Sequence, residues 1–306
     1  EVVLERYDDY YGGSPDIPPV GPAPAETVVF KVLPETATRV SALQTGEVHI
    51  VQALPPHLVD QLKADSNVQV KTATGTRGFF LELNVTKKPL DDIKVRRAIN
   101  HAIDWDAIID NVLEGYAIRS PGPTIPGSFG YNDQIKGYEY APEKAQELLI
   151  QAGHRSGFNL IIDCDVTEAI AQQLNAVGIK ATVRVWDGGV LKPLLRAGER
   201  QAAFGSWGNS TMEPYDLFEP KFTPKARGNY SQYDNPQFDI LLAKAAVTTD
   251  EAARAEIYRE IQQLIFDEAP WAFGYTSQEI EACSASVVNW EPSPDNRINM
   301  HDVDLN

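Results

Sequence analysis

The sequence is short of cysteine, of basic residues and of long apolar runs, and each scarcity excludes something. Its two cysteines, Cys164 and Cys283, lie far apart without metal-binding or redox spacing. They read as two separate buried thiols more readily than as a disulfide or a zinc site. Only 27 Lys and Arg stand against 43 Asp and Glu, a formal net charge of −16 over 306 residues. Such a surface repels phosphate backbones and anionic membranes. No apolar stretch reaches the length that crosses a bilayer.

Catalytic and nucleotide-binding motifs are missing too. None of the five histidines (His49, His57, His101, His154, His301) falls in an H-E-x-x-H or similar ligand spacing. Gly205-Ser206-Trp207-Gly208 is not a G-x-S-x-G elbow, and neither a P-loop nor a G-x-G-x-x-G occurs. Asp163-Cys164-Asp165 begins like a calcium loop but lacks the glycine and closing glutamate. Asp295, Asn296, His301, Asp302 and Asp304 read as a solvated acidic tail rather than a cation site. No catalytic residue, cofactor or metal is therefore expected. The many acids leave a glycosidase-type carboxylate pair open at this point.

What is present is an alternation of short strands and short helices, which predicts an α/β layer architecture. Strands are expected at 27–33, 48–51, 68–72 and 79–84, and helices at 36–45 and 55–64. Asp91 to Asp104 predicts a helix whose Val95, Ala98, Ile99 and Ala102 form one apolar stripe. Asp104 then caps a second helix, 105–113. The Pro- and Gly-rich stretch 116–140 reads as an extended crossover between lobes. A second series comes after it: helices at 142–152, 167–177, 189–197, 236–247 and 251–267, and strands at 159–163, 180–186 and 271–278. Residues 287–306 read as an irregular tail.

One strand ends unusually. In AFGSWGNSTMEPYD, Ala203 to Asp216, an apolar run meets glycines, one tryptophan and then small polar residues. Gly lets a ligand approach the backbone, Trp offers a flat wall with one N–H donor, and Asn209, Ser210 and Thr211 offer neutral hydrogen bonds. On composition alone, a cleft lip and a tryptophan capping the core are about level.

Several segments in order shift that balance: ERYDDYYGG (5–13), VVFKVLPETATRVSALQTGEVHIV (28–51), LNVTKKPLDDIKVRRAINHAID (83–104), DAIIDNVLEGYA (106–117), YAPEKAQELLIQAG (140–153) and YSQYDNPQFDILLAKA (230–245), with the tail VVNWEPSPDNRINMHDVDL. Together they resemble the extracytoplasmic solute-binding proteins of peptide/nickel-type ABC importers, solute-binding family 5. The resemblance covers essentially the whole chain. It implies a two-lobe, type II periplasmic-binding-protein-like α/β fold, with lobe one incomplete because the family's N-terminal segment is absent. It places lobe one at 1–114 with a C-terminal return at 275–306, and lobe two at 115–274. Hinges are expected near 113–123 and 271–278.

The resemblance also implies a function. The chain would be the substrate-binding component of an ABC importer for peptides or related small solutes, working with a membrane permease in the periplasm or at the outer cell surface. The expected ligand residues are Gly205, Ser206, Trp207, Gly208, Asn209, Ser210 and Glu213 on lobe two, with Trp186 as a side wall. Arg77 and Gly78 would face them from lobe one. Peptide binders of the family carry an Asp near the position of Ser210, where it meets the peptide's amino terminus. A neutral Ser supplies no such charge-assisted bond. The connection before the helix at Thr167 is also shorter than in relatives. Both departures point away from a free peptide, toward a neutral or differently charged group. A scaffold or sensor that keeps the fold without the ligand is the alternative, and a hydrolase ranks last.

Overall fold

A computed structural model describes residues 1–12, 19–164 and 168–306, with the side chain of Cys164 left aside. The expected helix start at Thr167, and the short connection before it, lie outside the described residues. The chain divides into two compact units: Glu1–Gly75 with Gln278–Asn306, and Thr76–Ser277.

In the first unit, β1 (Val2–Glu5) and β2 (Thr27–Phe30) form an antiparallel pair, with Val2 opposite Phe30. The helix α1 (Thr36–Gln44) is closed by Gly46, whose φ of +76° suits a residue without a Cβ. Then come β3 (Ile50–Val51), a 3-10 turn (Pro56–Leu58) and α2 (Val59–Lys63). The next strand, β4 (Val68–Leu83), runs on into the second unit.

The second unit continues with α3 (Ile93–Ala102), α4 (Trp105–Asn111), β5 (Ala117–Arg119), α5 (Pro142–Gln151), β6 (Asn159–Cys164) and α6 (Glu168–Ala176). Beyond these lie β7 (Lys180–Val185), α7 (Gly188–Arg196), β8 (Ala202–Gly208) and α8 (Tyr215–Phe222). Two long helices, α9 (Pro236–Val247) and α10 (Glu251–Glu268), precede β9 (Trp271–Ser284), which carries the chain back into the first unit. There β10 (Val287–Val288) and β11 (Asp304–Leu305) pair with each other.

Capping agrees with the sequence signals. Asp92 accepts from Lys94 N (2.8 Å) and Asp104 from Ala107 N (2.9 Å), so both α3 and α4 start on a carboxylate. The apolar stripe of α3 packs with Ala145 and Leu149 of α5 and Leu160 and Ile162 of β6 in one buried cluster. That packing corrects the expected lobe boundary at 114/115, because the helices before it share a core with α5 and β6 after it. The compact units divide instead at 75/76 and 277/278, on β4 and β9. The stretch 116–140 is likewise no crossover between units: Ile118 pairs with Thr276 inside the second.

There are two further differences. Residues 73–78 carry two glycines and read as a break, yet β4 stays extended through them, with Gly78 paired to Trp207. Residues 215–222, to which the sequence assigns no element, form α8, whose Leu217, Phe218 and Phe222 are buried.

Within the sheet, β8 pairs antiparallel with β4 and parallel with β6, which pairs parallel with β7. The carboxyl ends of β6, β7 and β8 therefore share one edge. In open α/β sheets this edge is where ligands bind.

Candidate ligand-binding site

The last residues of β8 open a pocket of about 280 Å³. Trp207, Gly208, Asn209 and Ser210 line one side, and Tyr215, Asp216, Glu219 and Pro220 of α8 line another, with Arg227 completing it. A tight turn joins strand to helix. Asn209 is buried; its N–H donates to Thr76 O (2.9 Å) and its Nδ2 to Glu213 O (3.1 Å). Met212 takes a φ of +58°, and its N–H donates to Asn209 O (3.1 Å). The Thr211 hydroxyl accepts from Glu213 N (3.2 Å) and lies within hydrogen-bonding distance of Asn209 Oδ1 (3.1 Å) and the Asp216 carboxylate. The sequence reading of Asn209 and Thr211 as ligand donors thus meets a structural use for both: they build the turn.

Trp207 is held from several sides. Its Nε1–H donates to Asp216 O (3.0 Å). The Arg227 guanidinium lies 5.1 Å from its ring centre and the Lys221 ammonium 5.6 Å, both within cation–π range. A Cβ on Gly228 would come to 3.1 Å from both Trp207 Cζ3 and Lys221 Cδ, tighter than ordinary contact, so the glycine eases this close approach.

Behind the pocket lies a buried ion pair. Lys221 Nζ meets Glu82 Oε1 at 2.8 Å, and both side chains are almost wholly out of water. The Lys221 ammonium is also 4.7–5.5 Å from the rings of Tyr230, Phe80 and Trp271. Burial pushes the Glu82 carboxyl up and the Lys221 ammonium down, each partly offset by the other's charge. Burial and the nearby Glu82 charge raise the Tyr230 phenol.

The other expected residues fall in different places. Arg77 and Gly78 are not across a gap from β8; they are its neighbours in the sheet, in register with Gly208 and Trp207. Arg77 Nη1 donates to Ser206 Oγ (3.2 Å), and a Cβ on Gly208 would meet Arg77 Nη2 at 3.0 Å. Gly205 packs over Glu82, whose Oε1 would lie 3.0 Å from a Cβ there. Trp186 belongs to another cluster. Its Nε1–H donates to Asp163 Oδ1 (2.6 Å), Arg200 Nε donates to Asp163 Oδ2 (2.7 Å), and the guanidinium sits 5.4 Å from the Trp186 ring. Glu213 turns away from the pocket lining: Tyr258 donates its hydroxyl to Glu213 Oε1, and Arg254 lies 3.6 Å from Oε2. Burial and then Glu213 raise the Tyr258 phenol.

Sequence reasoning missed Asp216, Glu219 and Arg227, the charged groups of the pocket. Asp216 closes the AFGSWGNSTMEPYD stretch, and reading YDLFEPKF as a helix would have put Glu219 one turn further on the same face. Nothing in sequence singles out Arg227. The pocket thus presents two carboxylates and one guanidinium around an aromatic wall, which suits a solute carrying both signs of charge. Among the described residues, no group of three or more His, Cys, Asp or Glu could hold a metal ion. Cys283 is buried and free.

Comparison with known proteins gives this arrangement a context. Residues 1–229 match the family described as bacterial extracellular solute-binding proteins, family 5 Middle. The glutathione-binding protein GsiB of Pectobacterium atrosepticum is 31% identical over 99% of this chain and 61% of its own length. The dipeptide-binding protein of Escherichia coli is 30% identical over 87% of this chain and 51% of its own. Among solved structures, the ABC transporter-associated periplasmic binding protein DppA of Helicobacter pylori, in complex with the peptide STSA, superposes with a TM-score of 0.84. It shares 28% identity and is matched over 99% of this chain and 60% of that one. The fold is thus that of the periplasmic binding proteins, and the chain spans about half to three-fifths of the length of these relatives.

Proposed function

Because the chain belongs to the bacterial extracellular solute-binding proteins of family 5, we propose that it is the ligand-binding part of the substrate-binding component of an ABC importer. It takes a peptide or related small solute at the carboxyl edge of β8. Membership of a solute-binding family argues for recognition rather than catalysis. The permease of the importer is the proposed macromolecular partner, and the periplasm or outer cell surface the proposed location.

The observation that carries this reading is the pocket beside Trp207. An aromatic wall, a glycine-lined backbone edge and a few convergent polar groups are the usual make-up of a small-molecule site. Asp216 and Glu219 supply the negative charge that Ser210 lacks, and Arg227 supplies a partner for a carboxylate. A zwitterionic ligand, such as a short peptide, satisfies both. This reverses the inference drawn from Ser210 alone. Arg77, Gly78, Gly205, Ser206 and Trp186 are proposed as supporting residues at the same edge, and Glu213 as the brace of the turn.

A thermal-shift screen of the purified protein against dipeptides, tetrapeptides and reduced glutathione tests the proposal. A ligand at a hundred times its Kd adds about 2.7 kcal/mol of stability and raises the melting temperature. Trp207→Ala should cancel the shift while leaving the melting temperature of the free protein within a few degrees. No shift with any of these solutes would favour the scaffold or sensor reading instead.

A further inference from the structure

We propose that the buried Glu82–Lys221 pair positions the pocket, fixing Trp207 and the Arg227 backbone against one another rather than serving only to stabilise the core. The inference rests on the reading of the Trp207 pocket as a ligand site.

Stability alone does not account for the pair. Removing two charges from water costs several kcal/mol per ion, and apolar side chains of similar volume often serve a core as well or better. Here the cost is not fully recovered, because Glu82 Oε2 has no hydrogen-bond partner among the described residues. The Tyr230 N–H, whose bond to the carboxylate opposes the effect of burial, is shared with Gly228 O at 2.9 Å.

The pair's contacts explain what it holds. Glu82 sits on β4 opposite Ala203 of β8, so it is anchored to the strand that carries Trp207. Gly205, two residues further along β8, leaves room for the carboxylate. Lys221 comes just after Glu219 and Pro220 on α8, which line the pocket. Its ammonium lies over the Trp207 ring, and its Cδ lies against the Gly228 backbone, which is tied back to α8 by Gly228 N–H to Pro220 O (2.9 Å). Arg227 precedes that glycine and reaches the same Trp207 ring. One ion pair therefore sets the spacing between the strand, the helix and the arginine. A directional 2.8 Å contact fixes such a spacing more sharply than apolar packing does.

Labelling with 5-fluorotryptophan reports on the surroundings of the Trp207 ring. Ligand affinity, which a merely structural pair would leave unchanged in a variant of parental stability, separates positioning from core stability. The chain has five tryptophans, and the Trp207 resonance is identified by its loss in Trp207→Phe. The variant E82M/K221M leaves no orphan charge and should melt within a few degrees of the parent. In it, the resonances of Trp207 and Trp271, both beside Lys221, should shift or broaden, while those of Trp105, Trp186 and Trp290 stay. Affinity for the best-bound of the dipeptide Met-Leu, the tetrapeptide STSA and glutathione should fall about tenfold. Glu82→Asp keeps the charge but withdraws it by one methylene, and should move the Trp207 resonance less. A Trp207 resonance that stays in place in both variants overturns the inference, as does movement of all five together. If the parent binds none of the three probes but the Trp207 resonance moves as described, the positioning role stands and the ligand reading falls.

Discussion

Glu82 in the second compact unit and Glu281 in the first both project from long sheet strands, and both are almost wholly buried. Their surroundings differ. Glu82 shares its burial with Lys221 and a ring of aromatics, and keeps a counter-ion at 2.8 Å. Among the described residues, Glu281 of β9 meets an amide, Gln52 Nε2, at 3.1 Å, and its Oε2 has no hydrogen-bond partner. Burial, opposed by that amide and reinforced by the charge of Glu279, pushes the Glu281 carboxyl up to about 7. Burial raises both carboxyls; the Lys221 charge opposes that rise at Glu82, while Glu281 has only the amide to oppose it among the described residues and is poised to take a proton. A buried carboxylate is costly in itself, and its partner decides how that cost is met.

The largest expected effect comes from breaking the paired site on one side only. Glu82→Gln leaves the Lys221 ammonium among aromatic rings without a counter-ion, and should lower unfolding free energy by about 3–5 kcal/mol. Lys221→Met should cost somewhat less, because Glu82 escapes by taking a proton. Chemical denaturation at pH 7 measures both, and losses under about 1 kcal/mol in each would contradict a strongly coupled pair.

Glu281 should respond with the opposite sign. Its pKa in the folded protein, about 7, lies above the ordinary 4.5. The folded state holds this proton more tightly than the unfolded state, so the contribution is most favourable below pH 4.5 and is lost as pH rises toward 7. The loss is on the order of 3 kcal/mol. Glu281→Gln should therefore stabilise the protein at pH 8 and change little at pH 4.5. Parallel stability–pH curves for parent and variant would show that Glu281 does not titrate in this range.

The contrast also marks what sequence could and could not reveal. Local signals were readable: α9 and α10 begin at Pro236 and Glu251, where the sequence places helices, and the stripe of α3 lies in the core. Trp207 to Ser210, singled out by an odd strand end, do line the pocket. The sequence assigned no helix to 215–222, and with α8 went Asp216 and Glu219. The Glu82–Lys221 pair joins residues 139 positions apart. Neither residue carries a local signature, because a Glu in GFFLELN and a Lys in EPKF each read as solvent-facing. Such long-range pairing is set by which strand and helix the fold brings together, and no pattern of periodicity or capping encodes it.

The smallest effect extends the comparison to a charged group at the surface of the first unit. His301 Nδ1 lies 2.7 Å from Asp302 Oδ1, and Nε2 lies 2.8 Å from Gly21 O. A neutral imidazole has one N–H, so only the cation donates to both oxygens. These two bonds, the one to Gly21 first, raise the His301 pKa above its usual 6.5. The stabilisation is therefore fully present below pH 6.5 and is lost as pH rises through the higher folded value. It acts locally, tying the tail to the segment after β1. Hydrogen exchange, corrected for its intrinsic pH dependence, should show residues near 21 and 301 less protected at pH 8.5 than at pH 6, with the β9 core unchanged. His301→Gln should remove that difference by exposing both segments equally at either pH. If the variant keeps the parent's pH dependence, another group anchors the tail, and the contrast between paired and unpaired ionisable groups stops at the two buried glutamates.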